Sequence, residues 1–422
     1  MKIKSLIKLE VAITFILFLY YTGALGLQNP VGNNDLSVYI EPQRNLIEKA
    51  IAALSYLLIP ILISRKWKLC TYLLTKDIPL FSLLFLANYS IIWADINLNN
   101  NISLLRGLLL STMFGVYLAA RYSIKDQMRF LAAVFAIVIL SSIFAALFLP
   151  GYGTHPGGHL TGWTGIFQHK NLLGAHMAWS ASVFLSLSLS TSQKHLIRFA
   201  LWIGFAFSLL LVFLSGSAGG IINLVCVISI VPLSKFIRKT YYKLQVLLIN
   251  SVILVVTCTS VLVTANLETI AQSLGKDLTF SGRIPMWSRL IDYVAQKPFL
   301  GYGFNGFWPG EFGANFRARW ISWKTVPHSH NGFLELVLAL GLIGFVLFII
   351  SCIFLFLRAY KEAYQAKTFE DILPLQFLCT FILANLSESR LLIPNNIYWI
   401  FYVTMSLSLA LKHIRERKLS MV

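Results

Sequence analysis

The sequence predicts an all-α polytopic membrane protein of about twelve transmembrane helices, with one large loop between the ninth and the tenth. Three observations predict it. Hydrophobic residues make up 57% of the 422 positions and charged residues only 12%, roughly half the charged share of a soluble domain, and the mean hydropathy is +0.71. The apolar residues gather in runs near the ~20 residues that a helix needs to cross the hydrocarbon. The basic residues are spread unevenly over the loops that these runs define.

The runs cover 11–27, 46–63, 78–93, 102–120, 130–149, 172–190, 196–214, 218–233, 244–265, 333–357, 372–386 and 397–411. A cytoplasmic N-terminus puts most of the 35 basic residues on the inner side. These are Lys2, Lys4 and Lys8, then Arg65, Lys66, Lys68 and Lys76, then Arg121, Lys125 and Arg129. Lys194 and Arg198, Lys235 to Lys243, Arg358 to Lys367 and Lys412 to Lys418 continue the series. The short outer loops keep only Arg44, Lys170 and Arg390. This alternation needs an even count of spans, so both termini are expected in the cytoplasm. The formal charge of +18 is then a property of loops facing an anionic leaflet, and no nucleic-acid partner is expected. The first run follows three lysines and ends near Ala24-Leu25-Gly26, as a signal peptide would. It is long for that role, and an uncleaved first helix is the expectation. The five cysteines form no CxxC pair and no Cys/His cluster, so no disulfide framework, metal or cofactor is expected.

Polar residues collect on the outer side. The loop 266–332 carries Lys276, Arg283, Arg289, Lys297, Arg317, Arg319 and Lys324. Long loops cross irrespective of charge, so these cations call for a ligand. Within it, 283–296 has the spacing of an amphipathic helix, capped by Ser281 or Gly282 and with Pro285 in its first turn. Trp287, Leu290, Ile291 and Val294 share its apolar face, which suits a helix lying on the membrane surface. Arg283 stands at its N-terminus, where a cation opposes the helix dipole but helps to attract an anion. Glycines alternate with aromatics from Pro298 to Trp308, and such rings stack on sugars or sit at lipid headgroups.

The loop closes with Pro327-His328-Ser329-His330-Asn331-Gly332, and Glu335 follows in the next helical turn. An imidazole at a membrane boundary suits proton abstraction near neutrality, and it also suits a polar helix cap. A second outer cluster runs from Thr164 to Asn171 and includes His169, Lys170 and Asn171. Arg106 lies inside the fourth span, where it either pairs, for instance with Asp95, or meets a ligand. The last outer turn holds Asn385-Leu386-Ser387-Glu388-Ser389-Arg390 and Asn395-Asn396. All these clusters face one aqueous side, the pattern of a site that opens outward.

Several of these segments match a known family in order. Gly165-Ile166-Phe167-Gln168-His169-Lys170-Asn171, with Gly174 beyond it, resembles the G-x-F-x-H-K-N-x-x-G segment of bacterial exopolysaccharide polymerases. Those polymerases belong to the O-antigen ligase/polymerase superfamily. Gly282-Arg283, Trp287, the run Lys297 to Gly303 and the run His328 to Glu335 resemble the superfamily's signature domain. Asn385 to Ser389 resembles the polymerase branch again. The similarity extends from Gly165 to the C-terminus, dividing the chain into 1–163 (spans one to five) and 164–422, which includes the loop 266–332. One departure stands out: where the family usually shows Ser-x-Ser followed by Arg or Lys, Ser215-Gly216-Ser217 is followed by Ala218. Lys170 or Arg106 is then expected to substitute, or a phosphate contact is weaker.

The resemblance implies a GT-C-like, metal-independent inverting glycosyltransferase of the bacterial cytoplasmic (inner) membrane, with its active site on the periplasmic side. The donor would be a glycan on undecaprenyl pyrophosphate, and the acceptor another repeat unit or a lipid A core, with polymerase favoured over ligase. Membrane lipid and other polysaccharide-assembly proteins would be its further partners. The family's essential arginine and histidine carry over to Arg283 and His330, with His328 as the alternative base. Lys170, His169, Asn171, Arg289, His328, Asn331, Arg106, Glu388 and Arg390 are the expected substrate-binding residues. A lipid-linked sugar transporter is the rival reading, since twelve spans suit one, but transporters gather binding residues near the midplane.

Overall fold

The structure is a computed structural model, and it describes residues 2–24, 46–94, 98–155, 162–190, 194–239, 283–319 and 328–419. The first half holds α1 (Lys2–Tyr21), α2 (Leu46–Ser64), α3 (Trp67–Leu74), α4 (Ile78–Tyr89), α5 (Leu98–Arg121) and α6 (Ile124–Phe148). A two-residue hairpin of β1 (Thr154–His155) and β2 (Gly162–Trp163) leads into α7 (Lys170–Ser188), α8 (His195–Ser215) and α9 (Ala218–Lys239). Then come α10 (Arg283–Gln296), α11 (Glu311–Arg319), α12 (Gly332–Tyr364), α13 (Leu373–Ser387) and α14 (Ile397–Leu419).

A helix stands at every expected span position except the ninth, 244–265, which lies outside the described residues. Among the described residues seven helices are long and apolar enough to cross a membrane, or eight if α3 and the α4 segment, bent by 90°, count as one passage. The expected spans that fall short do so for physical reasons. α1 mixes Lys4, Lys8 and Glu10 into its length. α9 has an apolar stretch of only Ala218–Leu233.

α7 is rich in serine, and it is buried from Leu173 to Ser188. A helix enclosed by other helices can carry hydroxyls if each finds a partner. Ser180 shares a hydrogen bond with Ser208 of α8 at 2.8 Å, and Ser186 donates to Gln376 of α13 at 2.8 Å. α8, by contrast, turns Leu196, Phe199 and Phe213 outward. α5 packs on α14 and α12 on α4, so residues on both sides of position 163 share one core. Trp179 anchors its centre against Phe377, Tyr398 and Phe401.

α12 is broken at Gly341, whose φ of 65° and ψ of −166° interrupt the helical ladder. The segment after α10 repairs it. Tyr302 N donates to Leu338 O at 2.8 Å, Gly303 N to Ala339 O at 2.9 Å, and Leu342 N to Pro298 O at 2.7 Å. A Cβ at position 341 would lie 2.2 Å from the Phe299 carbonyl carbon, so only glycine fits.

The loop also has a core of its own, made of Met286, Leu290, Tyr302, Phe307, Trp308 and Phe316 with Leu338 of α12. Two expectations change here. The buried stripe of α10 runs through Met286 and Leu290, whereas Ile291 is 58% exposed, because the helix packs on aromatics rather than only on a membrane surface. Tyr302, Phe307 and Trp308 fill that core and are spent on packing. The capping positions Ser281 and Gly282 lie outside the described residues.

Candidate active site

The starts of α7, α9, α12 and α14 and the ends of α6, α8 and α13 alternate along the chain, so they meet at one end of the bundle. There the site is built around Glu388, just past α13. Its Oε1 accepts from Asn171 Nδ2 at 3.0 Å and from Arg283 Nη2 at 3.3 Å. Its Oε2 lies 3.1 Å from His330 Nδ1 and 3.9 Å from His328 Nε2. Arg283 Nη1 also donates to Ser387 O at 2.8 Å. Behind Asn171, Ser217 Oγ donates to Asn171 Oδ1 at 3.2 Å, which ties in the turn before α9. Three segments distant in sequence thus converge on one carboxylate, and a fourth joins through Asn171.

The loop core aims the two histidines. Asn331 caps α12, its Oδ1 accepting from Phe333 N at 3.0 Å and Leu334 N at 3.2 Å. Just before it, His330 adopts a φ of 53°, in the left-handed region that non-glycine residues avoid. Neighbours hold it there. Trp287 Nε1 donates to Ser329 O at 2.8 Å, Ser329 N donates to Glu335, and Trp308 Nε1 donates to Glu335 at 2.9 Å. His330 N donates to His328 Nδ1 at 3.1 Å. Strain of this kind costs about 1–3 kcal/mol and gathers at functional sites.

These contacts assign the protonation pattern. His328 accepts at Nδ1, so its proton sits on Nε2, and loss of hydration, with His330 adding to it, holds this ring below the usual histidine range. Burial pushes the Glu388 carboxyl up, but His330, His328 and Arg283 outweigh it and hold it well below the usual carboxylate range. An ionised Glu388 facing Nδ1 of His330 orients the imidazole and favours a proton on that nitrogen. Such a ring can take a proton from an alcohol while the guanidinium attracts an anion.

The other expected residues are placed unevenly. Asn171 joins the cluster through its amide. His169 caps α7, its Nδ1 accepting from Asn171 N at 3.1 Å. Lys170 opens that helix half-buried, its stem beside Gly162. Asn331 is a helix cap. Arg289 Nη1 donates to Arg319 O at 3.0 Å and so braces α10 against α11. Arg106 is exposed on α5, and Asp95, its expected partner, lies outside the described residues. Arg390 is buried beside Tyr398.

Glu388, expected to bind substrate, has side-chain contacts to four protein groups in this structure, a role that its place in the Asn385 to Ser389 motif did not reveal. Ser217 was not singled out as a site residue, although it stands in the Ser-x-Ser segment. Ligand atoms of His328, His330 and Glu388 lie within 4.8 Å of one another, a spacing that could hold a metal ion. The Arg283 guanidinium on the same carboxylate counts against a second cation there.

Residues 203–349 match the family model described as O-antigen ligase. The chain is also 26% identical over 242 residues to the exopolysaccharide production protein ExoQ of Rhizobium meliloti (strain 1021), covering 53% of this chain and 52% of that protein. The chain thus spans about half the length of that curated relative. Over these stretches the multi-pass membrane chain is therefore similar to a family described as O-antigen ligase and to an exopolysaccharide production protein.

Proposed function

We propose that the protein is a membrane glycosyltransferase that polymerises oligosaccharide repeat units carried on undecaprenyl pyrophosphate, without a metal. It works at the periplasmic face of the bacterial cytoplasmic membrane, with both termini in the cytoplasm. The observation that carries the reading is the convergence of Arg283, His328, His330 and Asn171 on Glu388. A diphosphate leaving group needs charge neutralisation more than proton donation, and an arginine offers a planar set of donors for it. His330 Nε2 takes the proton of the acceptor hydroxyl as that oxygen bonds to the anomeric carbon. The carbon–oxygen bond to the diphosphate breaks, the diphosphate leaves with the electron pair, and Arg283 balances its charge. Attack from the far side inverts the anomeric centre. Glu388 is a positioning residue that orients the imidazole and stabilises it once protonated. The remaining rate comes from holding two long glycans in register.

The family description, O-antigen ligase, favours a second reading that differs only in the acceptor, a lipid A core. The purified protein in liposomes with a lipid-linked repeat unit separates these readings. Polymerase activity lengthens the glycan, ligase activity requires an added core acceptor, and a carrier changes only the leaflet. H330A and R283A are each expected to reduce chain growth by roughly 10²–10⁴-fold in protein that inserts normally. Growth at the wild-type rate in either variant refutes the assignment.

A further inference from the structure

Arg283 already has a counter-charge in Glu388, so its charge is largely balanced before any substrate arrives. The guanidinium of Arg390, two residues past Glu388, has no ion-pair partner among the described residues. Arg390 is 5% exposed, yet its Nε and Nη2 are buried without a hydrogen-bond partner, and no described ion pair includes it. Arginine cannot shed its proton to escape burial. A buried, uncompensated guanidinium is therefore tolerated only where an anion completes it.

The surroundings are built and fixed. Asn385 Oδ1 accepts from both Arg390 N and Leu391 N at 2.9 Å, and Asn385 Nδ2 donates to Phe381 O at 2.8 Å, so the turn is locked to α13. Leu392 completes the turn with a φ of 57°. The guanidinium lies 5.5 Å from the Tyr398 ring centroid. Tyr398 meets His176 edge-on at 5.1 Å, and His176 stacks on Phe167 at 4.5 Å. Phe167 opens the segment that continues to Lys170 and Asn171, so this aromatic stack runs from Arg390 back to the Glu388 cluster. The Tyr398 hydroxyl and Ser389 Oγ, on the residue that the guanidinium faces and on the one before Arg390, are likewise buried without partners.

We propose that Arg390, with Ser389 and the Tyr398 hydroxyl, forms a second anion subsite that holds a phosphate of a lipid-linked diphosphate beneath the Glu388 cluster. This rests on the glycosyltransferase reading for the identity of the ligand but not for the existence of the subsite. Arg283 then meets the oxygen nearer the sugar, and Arg390 grips the diphosphate from the bundle side, so that charge is neutralised on both faces of the leaving group.

The test uses the full-length protein in nanodiscs of neutral phosphatidylcholine. Inorganic pyrophosphate and undecaprenyl pyrophosphate are titrated separately, with phosphatidylglycerol as the competing phosphate source. R390Q is expected to weaken pyrophosphate binding roughly ten- to hundredfold, whereas R129A, an exposed arginine near the start of α6, leaves it unchanged. R390K keeps the charge without the planar fork, guards against a folding defect, and is expected to restore part of the affinity. Equal pyrophosphate affinity in the wild type and in R390Q overturns the subsite, and if R390Q does not fold, unchanged affinity in the double variant S389A/Y398F overturns it. Phosphatidylglycerol displacing pyrophosphate at comparable concentration overturns the assigned occupant in favour of a lipid headgroup. If R390Q loses pyrophosphate while H330A still polymerises normally, the subsite stands and the catalytic reading falls.

Discussion

Two enclosed carboxylates hold the bundle together, and they differ in the company they keep. Asp77 lies toward the end of the bundle away from the site, at the start of α4. Its Oδ1 accepts from Leu80 N at 3.1 Å, and its Oδ2 accepts from Ser351 Oγ at 2.9 Å and from Ser406 Oγ. Arg358, beside it, donates to the carbonyls of Ser406 and Lys76 at 3.2 and 2.9 Å. The described donors around Asp77 are paired with protein acceptors, and the knot joins α4, α12 and α14. Glu388 also joins distant segments, but its partners are two imidazoles and a guanidinium, and an unsatisfied arginine lies just beyond. The lesson is that a closed hydrogen-bond network marks architecture, whereas an excess of unmatched donors marks a place for a ligand.

Substituting each carboxylate in turn tests the contrast. E388A is expected to reduce glycan transfer by roughly 10²–10³-fold while detergent-solubilised protein keeps its melting temperature within a few degrees. D77A should do the reverse, lowering the unfolding free energy by about 1–3 kcal/mol as three donors lose their acceptor, with the surviving protein turning over normally. If both variants fail in the same way, the distinction between the two networks is wrong.

The pH dependence sharpens it further. The depressed Glu388 group contributes stability above the ordinary carboxyl value of ~4.3, and that contribution is lost only as pH falls through the lower folded value. His328, held below the usual histidine range, stays neutral through mild acid. H328Q is therefore expected to leave the shape of the rate profile between about pH 5 and 8 unchanged, and a changed shape there would identify His328 as a titrating group. The smallest effect belongs to R106A. Arg106 is exposed and apart from the Glu388 cluster, so transfer should change by less than about twofold.

Much of this was legible in the sequence because hydropathy and basic loops report directly on spans, and because Arg283, His330 and Glu388 sit in recognisable motifs. α7 stands where the run 172–190 predicts a helix, but its enclosure by other helices is a first failure of that signal. Its serines depress hydropathy, yet Ser180 and Ser186 bond to neighbouring helices and Ser182 and Ser188 to their own backbone, and no linear average registers enclosure. Ile291 and the rings of Tyr302, Phe307 and Trp308 show a second failure. Spacing identifies an apolar face, but whether lipid, sugar or protein covers it depends on segments that meet only in three dimensions. The bond between Asn171 and Glu388, 217 positions apart, is a third. Each residue stood in a separate motif, and only folding shows that they are neighbours.

The interruption at Gly341 has a mechanical corollary. Because the backbone from Pro298 to Gly303 is spliced into the gap, the loop cannot rise or sink without dragging the first turns of α12, and His330 travels with them. The imidazole is thereby held at a fixed level along α12, like a stop on a ruler. Under the proposed glycosyltransferase reading, a sugar bond anchored at one fixed level is the kind of target such a gauge selects, however long the chain beyond it grows.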